Sequence, residues 1–243
     1  MSTKAIEGIF FDLDGTFLDT AEDFIITVNR MLNEHQHPPL DEQLIRQNVS
    51  AGSRALMRLA FNLPSGDELE AKRECFLQYY NQYIQNHSRP TTALPYPGIV
   101  PLLESIESKD LPWGIITNKP RAYALSLIKQ AGLLDRCHAF VCPEDVSKTK
   151  PDPESLILAC HQAECKPENS IYIGDHKRDI IAGKNAGMIT ITAHYGYIQP
   201  EEDPYTWQAD LDIFHASEIE PWLNQINWEV PAKGIGYVTK EHV

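Results

Sequence analysis

The stretch Phe11-Asp12-Leu13-Asp14-Gly15-Thr16 decides the fold, because it ends the apolar run Ile9-Phe10-Phe11 close to the N-terminus. The run predicts a buried strand over residues 6–13, and two carboxylates lie one residue apart where that strand leaves the sheet. Neighbouring anions repel each other unless a cation or a shared proton relieves them. The pair therefore predicts that another part of the chain places positive charge opposite Asp12 and Asp14.

Strand and helix patterns alternate through the second half of the chain. The apolar, strand-like runs are 113–116, 139–142, 170–173 and 188–192. Helical stretches, for example 122–131 and 152–163, separate these runs. Such alternation predicts a parallel sheet with helices on both faces, which is the doubly wound α/β class.

A helical region interrupts this pattern directly after the first strand. From Thr20 to about His87 the apolar residues recur at helical spacing and no comparable strand is present. We therefore expect an all-helical cap over residues 19–90, inserted into a catalytic core made of residues 1–18 and 91–226. Residues 227–243 form a C-terminal tail with little periodicity, and the sequence predicts no role for them.

Composition limits the possible partners and location of the protein. The chain of 243 residues is 42% hydrophobic and 23% charged, as is usual for globular proteins, and its net charge is −13. This acidity argues against nucleic-acid binding, which requires a basic face. We also expect no signal peptide and no membrane span, and the odd count of five cysteines suggests reduced thiols in a cytoplasm. The protein is predicted to be a monomer or a weak dimer.

Four polar clusters fall at or just after predicted strand ends. They are Asp12/Asp14, Thr117/Asn118, Lys150 and Asp175/Asp179. Each cluster alone also suits a structural role, since a strand-end aspartate can cap a helix and a Thr-Asn pair can form a turn. In an open parallel sheet, however, ligands bind beyond the carboxyl ends of the strands. We therefore expect the four clusters to meet in one site.

The residue types in these clusters suit phosphoryl transfer. One carboxylate can act as the nucleophile, and a second can protonate the leaving oxygen and then take a proton from water. A hard dication with oxygen ligands offsets the repulsion between phosphate and carboxylates. A hydroxyl, an amide and an ammonium group can hold the remaining phosphate oxygens.

The same residues resemble a known family. The segments 12–16, 117–118, 150–153 and 174–179 look like the four motifs of the haloacid dehalogenase superfamily, in order along the chain. The helical insert after the first motif resembles the small helical cap of that superfamily. The resemblance covers the whole predicted core.

The resemblance implies a role for each catalytic position. Asp12 would be the nucleophile and would be phosphorylated during turnover, and Asp14 would be the general acid and base. Thr117 and the backbone of Asn118 would hold phosphate oxygens, while Lys150 would bridge the phosphate and the nucleophile. An acid at position 14 also distinguishes this chain from the dehalogenases of the superfamily, which lack one there.

The resemblance also implies a Mg²⁺ cofactor. Its ligands would come from Asp12, from the backbone carbonyl of Asp14 and from Asp175, and Asp179 would bind the ion or orient its water shell. His176 directly follows Asp175. We expect its side chain to face solvent or to support the site residues rather than to contact a bound substrate.

Longer stretches resemble two phosphatase families within the superfamily. Residues 117–120 and 195–197 resemble the phosphoglycolate phosphatases. The N-acetylmuramic acid 6-phosphate phosphatases of peptidoglycan recycling are matched by the longer stretches 113–120, 142–146, 150–160 and 195–210. The resemblance therefore implies a Mg²⁺-dependent phosphatase with N-acetylmuramic acid 6-phosphate as substrate, and phosphoglycolate is the alternative. A sugar phosphomutase and a non-catalytic phospho-ligand sensor are further alternatives.

A cap segment is predicted to take part in substrate recognition. Residues 50–54 are small side chains followed by an arginine, Arg54, between two predicted cap helices. An arginine there could reach over the site to a substrate anion. The simpler alternative is a surface arginine at the start of a helix.

Overall fold

A six-stranded parallel sheet forms the core of the computed structural model, which describes residues 6–85 and 91–225. The strands in chain order are β1 Gly8–Phe11, β2 Leu18–Asp19, β3 Leu94–Pro95, β4 Trp113–Ile116, β5 Ala139–Val141, β6 Ser170–Gly174, β7 Ile189–Ala193 and β8 Leu211–Ile213. The order across the sheet is β5-β4-β1-β6-β7-β8, and every neighbouring pair is parallel. The predicted doubly wound α/β class is confirmed.

Helices cover the sheet and form the inserted region. In chain order they are α1 Ala21–Glu34, α2 Glu42–Gln47, α3 Ser53–Phe61, α4 Asp67–Ile84, α5 Ile99–Glu107, α6 Arg121–Gln130, α7 Glu154–Gln162, α8 Lys177–Asn185 and α9 Ile219–Gln225. Five short 3₁₀ turns lie in the connections among the described residues.

The central strand β1 buries side chains on both faces of the sheet. Ile9 and Phe11 belong to a large apolar cluster that also contains Leu103 of α5. Phe10, between them, points to the opposite face and joins a second cluster with Leu156 of α7. Because side chains alternate along a strand, an unbroken apolar run is what a strand with both faces covered requires.

The region between β2 and β3 is helical. These two short strands pair antiparallel, with Leu18 opposite Pro95, and hold the two ends of the region together. Inside it α1 packs on α4 through three aromatic rings: Phe24 lies 4.7 Å from Tyr80 and 6.0 Å from Phe76 between ring centroids. The boundaries of the cap at 19–90 and of the core at 1–18 and 91–226 stay predictions. The tail 227–243 lies outside the described residues.

The register of the sheet brings the predicted motifs to one edge. Phe11 lies opposite Ile115 of β4 and opposite Ile173 of β6. The strands run in the same direction, so the residues that follow them, Asp12, Thr117 and Asp175, leave the sheet at the same edge.

Candidate active site

Asp12 continues the line of β1 beyond the last strand residue. Its backbone N–H donates to the carbonyl of Ile173 at 2.9 Å, and its side chain is buried at the carboxyl edge of the sheet. Burial raises the pKa of the Asp12 carboxyl group, while the nearby Lys150 ammonium acts in the opposite direction. The predicted nucleophile is thus desolvated and paired with a cation.

Lys150 connects the acidic residues at this edge. Its ammonium lies 2.8 Å from Asp12 Oδ1 and 2.7 Å from Asp179 Oδ1, and it also donates to Tyr172 Oη at 2.7 Å and to the Ile116 carbonyl at 2.9 Å. The side chain has no solvent exposure. A buried ammonium with this many oxygen neighbours has its charge and its donors satisfied.

Three buried carboxylates form the cluster that can hold a metal ion. Asp12, Asp175 and Asp179 each offer an oxygen atom, and these atoms all lie within 4.8 Å of one another. Burial and the neighbouring carboxylates raise the pKa of Asp175 to about 8. One buried ammonium cannot neutralise three carboxylates, so a further cation is favoured here. Hard dications prefer a donor set made only of oxygen atoms. The residues therefore fit a divalent metal.

Asp175 is held by groups from three parts of the chain. Its Oδ2 accepts from the Tyr197 backbone N–H at 2.7 Å and from Ser50 Oγ at 2.7 Å, and its Oδ1 lies 3.4 Å from Thr16 Oγ1. Gly15 next to it has φ +82, and a Cβ there would collide with the Asp175 carboxylate. Glycine at position 15 is therefore required by both backbone conformation and close packing.

Asp14 faces away from the three-carboxylate cluster and towards the helical region. Its Oδ1 accepts from Thr20 Oγ1 at 2.6 Å and lies 3.0 Å from Lys119 Nζ. Its backbone carbonyl, the predicted metal ligand, is 3.3 Å from Ser50 Oγ, which also binds Asp175. The Asp14 carbonyl is therefore close to the cluster, whereas its side chain lines the adjoining cavity.

Thr117 and Asn118 lie where β4 ends, and both line the cavity. The Asn118 side chain donates to the Lys150 carbonyl at 3.0 Å and accepts from the Lys150 N–H at 3.2 Å. This paired contact fixes the backbone that carries the buried ammonium. The Asn118 side chain is thus used for positioning, which leaves its backbone N–H for the predicted phosphate contact.

The cavity beside these residues has a volume of about 180 Å³. Asp12, Asp14 and Thr117 line it from the core, and aromatic side chains of α1 and α4 line it from the helical region. A phosphate bound beside Asp12 would therefore leave the rest of its molecule near Phe24 and Tyr80.

Arg54 lines the outer part of this cavity from the first turn of α3. Its guanidinium makes two contacts with Glu70, at 2.5 and 3.0 Å, and its side chain is 57% exposed. The structure thus brings Asp12, Lys150, Asp175 and Asp179 together and leaves Arg54 at the rim. The individual roles stay predictions.

His176 caps helix α8 rather than entering the cavity. Its side-chain Nδ1 accepts from the Arg178 backbone N–H at 3.1 Å. The backbone N–H of His176 donates to Asp179 Oδ2 at 3.2 Å. Burial, assisted by the positive charge of Arg178, lowers the pKa of His176 to about 4. A neutral imidazole at the helix start matches the expected supporting role.

Sequence reasoning missed three residues of the site. Ser50 reaches the cluster from the helical region, although the prediction for its segment concerned Arg54. Lys119 directly follows Thr117-Asn118, yet only the structure reveals its contact with Asp14. Arg178 lines the cavity from α8. Lys119 and Arg178 could have been predicted because each is a cation directly beside a motif residue. Nothing in the sequence at Ser50 indicates its contact with Asp175.

Comparison with known proteins agrees with this architecture. A model of the haloacid dehalogenase-like hydrolase family matches residues 9–193, and the chain belongs to this family. It is 42% identical over 220 residues to an N-acetylmuramic acid 6-phosphate phosphatase of Pseudomonas aeruginosa, which covers 90% of this chain and 95% of the relative. It is 36% identical over 203 residues to a phosphoglycolate phosphatase of Xanthomonas campestris, with 84% and 90% covered.

Solved structures support the fold. The crystal structure of a predicted phosphoglycolate phosphatase from Haemophilus somnus superimposes with a TM-score of 0.77. The two chains are 21% identical, and the match covers 89% of this chain and 97% of the other. Within residues 6–85 and 91–225, none of the helices has the length and apolar character needed to cross a bilayer.

Proposed function

We propose that this hydrolase removes phosphate from N-acetylmuramic acid 6-phosphate, with Mg²⁺ as cofactor and Asp12 as nucleophile. The observation that carries the chemistry is the contact of the Asp12 carboxylate with buried Lys150, beside two further buried carboxylates. The substrate is inferred from the 42% identical relative, whose alignment covers nearly all of both chains.

The reaction uses two aspartates in succession. An oxygen of Asp12 forms a bond to phosphorus, the bond from phosphorus to the sugar oxygen breaks, and Asp14 gives its proton to that oxygen. Water then attacks the acyl phosphate and passes a proton to Asp14, which releases inorganic phosphate and restores Asp12. Each carboxyl group thus returns to its starting state after one turnover.

The remaining polar residues hold the phosphate. Lys150 contacts both Asp12 and a phosphate oxygen, and Thr117 with the Asn118 backbone N–H binds the other oxygens. Asp12, Asp175, Asp179 and the carbonyl of Asp14 would hold the metal ion. Mg²⁺ bound there would supply positive charge to the phosphate oxygens and the carboxylates.

The cavity wall beyond the phosphate end suits a sugar that carries a carboxylate. The aromatic rings of Phe24, Phe76 and Tyr80 offer an apolar surface, and Arg54 and Arg73 lie on the same cavity wall. We propose that Arg54 contributes positive charge at the rim that attracts the substrate carboxylate. Phosphoglycolate also carries a carboxylate and is the second candidate, favoured by the 36% identical relative.

A direct comparison of substrates tests this proposal. We expect a kcat/KM with Mg²⁺ at least tenfold higher for N-acetylmuramic acid 6-phosphate than for phosphoglycolate, since only the sugar is large enough to pack against the aromatic side chains of the cavity wall. A preference for phosphoglycolate would overturn the substrate. Formation of an isomeric sugar phosphate in place of free phosphate would indicate a mutase, and binding of the sugar phosphate without turnover would indicate a sensor.

The setting of the enzyme follows from the same reasoning. We propose that it acts in the cytoplasm as a monomer or weak dimer, without a nucleic-acid or membrane partner, because its net charge is −13 and its proposed substrate is a small anion. Light scattering of the purified protein across a range of concentrations would test the oligomeric state.

A further inference from the structure

Arg178 lines the cavity, and one of its side-chain donors is buried without a partner in the described part of the chain. It lies in the first turn of α8, directly before Asp179, and it shares the cavity wall with Asp12. Its Nε is buried and has no hydrogen-bond partner among the described residues. Buried polar groups are nearly always paired in native proteins, because an unpaired donor loses its interaction with water without replacement.

The other cations of the cavity wall are already neutralised. Lys119 lies 3.0 Å from Asp14, and Arg54 lies 2.5 Å from Glu70. Arg73 lies 3.6 Å from the same glutamate. In the part of the chain that the structure describes, the arginine of α8 has no such carboxylate within ion-pairing distance, so its charge is available to a ligand.

The position of this charge relative to Asp12 identifies the ligand. Arg178 and Asp12 line the same cavity, and Arg178 lies two residues after His176 at the start of α8. It does not form an ion pair with Asp12, and a gap therefore separates the guanidinium from the carboxylate. A phosphoryl group that is bonded to Asp12, or that Asp12 is positioned to attack, would occupy the space next to that carboxylate. Such a group carries negatively charged oxygen atoms.

We propose that Arg178 binds the phosphoryl group, with Nε and a terminal N–H donating to two of its oxygens. A guanidinium presents two parallel donors at the spacing of two phosphate oxygens, which an ammonium group cannot do. The proposal rests on the proposed phosphatase function and adds a phosphate-binding residue outside the four predicted clusters. The Asp179 backbone N–H donates to the His176 carbonyl at 2.8 Å and fixes the start of the helix that carries this arginine.

The test uses Arg178→Met, which keeps much of the side-chain volume and removes the donors. We expect binding of orthovanadate with Mg²⁺, measured by calorimetry, to weaken about 10²-fold. We expect kcat/KM to fall by a similar factor for N-acetylmuramic acid 6-phosphate and for 4-nitrophenyl phosphate, because both esters present the same phosphoryl group. Arg178→Lys should recover part of the loss, since it restores charge without the paired donors.

Two controls separate this role from a structural one. The melting temperature of Arg178→Met should not fall, because the Nε that it removes has no partner in the folded protein. Lys177→Met removes an exposed cation from the same first turn of α8 and should leave orthovanadate binding within twofold of the parent. Orthovanadate binding does not require turnover, so its affinity can be measured even if the proposed substrate is wrong.

Three results would overturn the proposal. One is unchanged orthovanadate binding in Arg178→Met. Another is a loss of activity confined to substrates with a carboxylate, which would assign Arg178 to that group instead. The third is a fall in melting temperature that accounts for the loss of binding.

Discussion

Lys150 is the single residue on which the charge balance of the site depends most. Its ammonium lies between Asp12 and Asp179 at 2.8 and 2.7 Å and has no solvent exposure. Removing one partner of a buried ion pair leaves the other charge desolvated and uncompensated, which is more unfavourable than replacing the whole pair. Lys150 should therefore matter for stability as well as for phosphate binding.

We predict that Lys150→Met lowers the free energy of unfolding by about 3–5 kcal/mol in the presence of chelator. Denaturant unfolding measures this change, and kcat/KM should fall in parallel because a phosphate ligand is lost. Lys148→Met is the matched control, because Lys148 lies two residues away with a side chain that is 72% exposed. Equal effects of the two substitutions would contradict the account.

For single residues, the sequence predicts the site residues that lie in motifs. It misses residues that come to the site from far away along the chain. Asp12, Lys150 and Asp175 follow strands or precede a helix in a recognisable order, and the structure places them together. Ser50 binds Asp175 across 125 positions of the chain. No local pattern encodes a contact of that separation, because it depends on where the whole helical region packs.

At the level of elements, Lys119 joins the core to helices α1 and α4. It belongs to the loop after β4, yet its ammonium lies 4.5 Å from the ring centroid of Phe24 in α1 and 4.5 Å from that of Tyr80 in α4. A desolvated ammonium is attracted to aromatic faces. The contact with Asp14 at 3.0 Å completes a link between the predicted general acid and the helical region.

We predict that Lys119→Met destabilises the protein by about 2 kcal/mol, the size of a desolvated cation–π contact. Amide hydrogen exchange in α1 and α4 should become faster than exchange in the central strands, because the lost contact holds these helices to the core. Lys129→Met, at an exposed position in the last turn of α6, is the control. A uniform change in exchange across the molecule would contradict a local link.

The elements that the sequence predicts are those with an apolar run or a clear helical period. Strands β4 to β7 match the four apolar runs, and helices α6 and α7 match the helical stretches at 122–131 and 152–163. Strand β8 has the sequence Leu-Asp-Ile, which is not an apolar run, and α2 has only six residues, too few for a helical period to be read. The strand predicted over 6–13 is Gly8–Phe11, because the chain already turns at Leu13, whose carbonyl accepts from the N–H groups of Phe17 and Leu18.

Across the whole molecule, the carboxylate cluster links stability to pH and to metal. The pKa of Asp175 is about 8 in the folded protein and 3.8 as its ordinary value, so unfolding releases a proton between these pH values. Stability therefore falls as pH rises through this window. His176 acts oppositely, since its pKa of about 4 in the folded protein lies below its ordinary 6.5, but that effect ends near pH 6.5.

We predict that the metal-free protein loses up to about 1.4 kcal/mol of stability per pH unit between pH 6.5 and 8. Saturating Mg²⁺ should flatten this dependence, because the cation replaces the proton at the carboxylates. Thermal and denaturant unfolding with chelator or with Mg²⁺ measure both slopes. Asp175→Asn should reduce the slope without metal, although Asp12, whose pKa burial also raises, can still contribute to it. A pH-independent stability of the parent protein would contradict the raised pKa.

The central claim is that phosphate passes through a covalent bond to Asp12. The most direct measurement is to mix enzyme, Mg²⁺ and N-acetylmuramic acid 6-phosphate, add borohydride within one turnover and map the reduced residue by mass spectrometry. An acyl phosphate is reduced to the alcohol, so we predict the modification at Asp12, dependent on substrate and absent from Asp12→Asn. Modification at another carboxylate, or none while phosphate is released, would contradict the account.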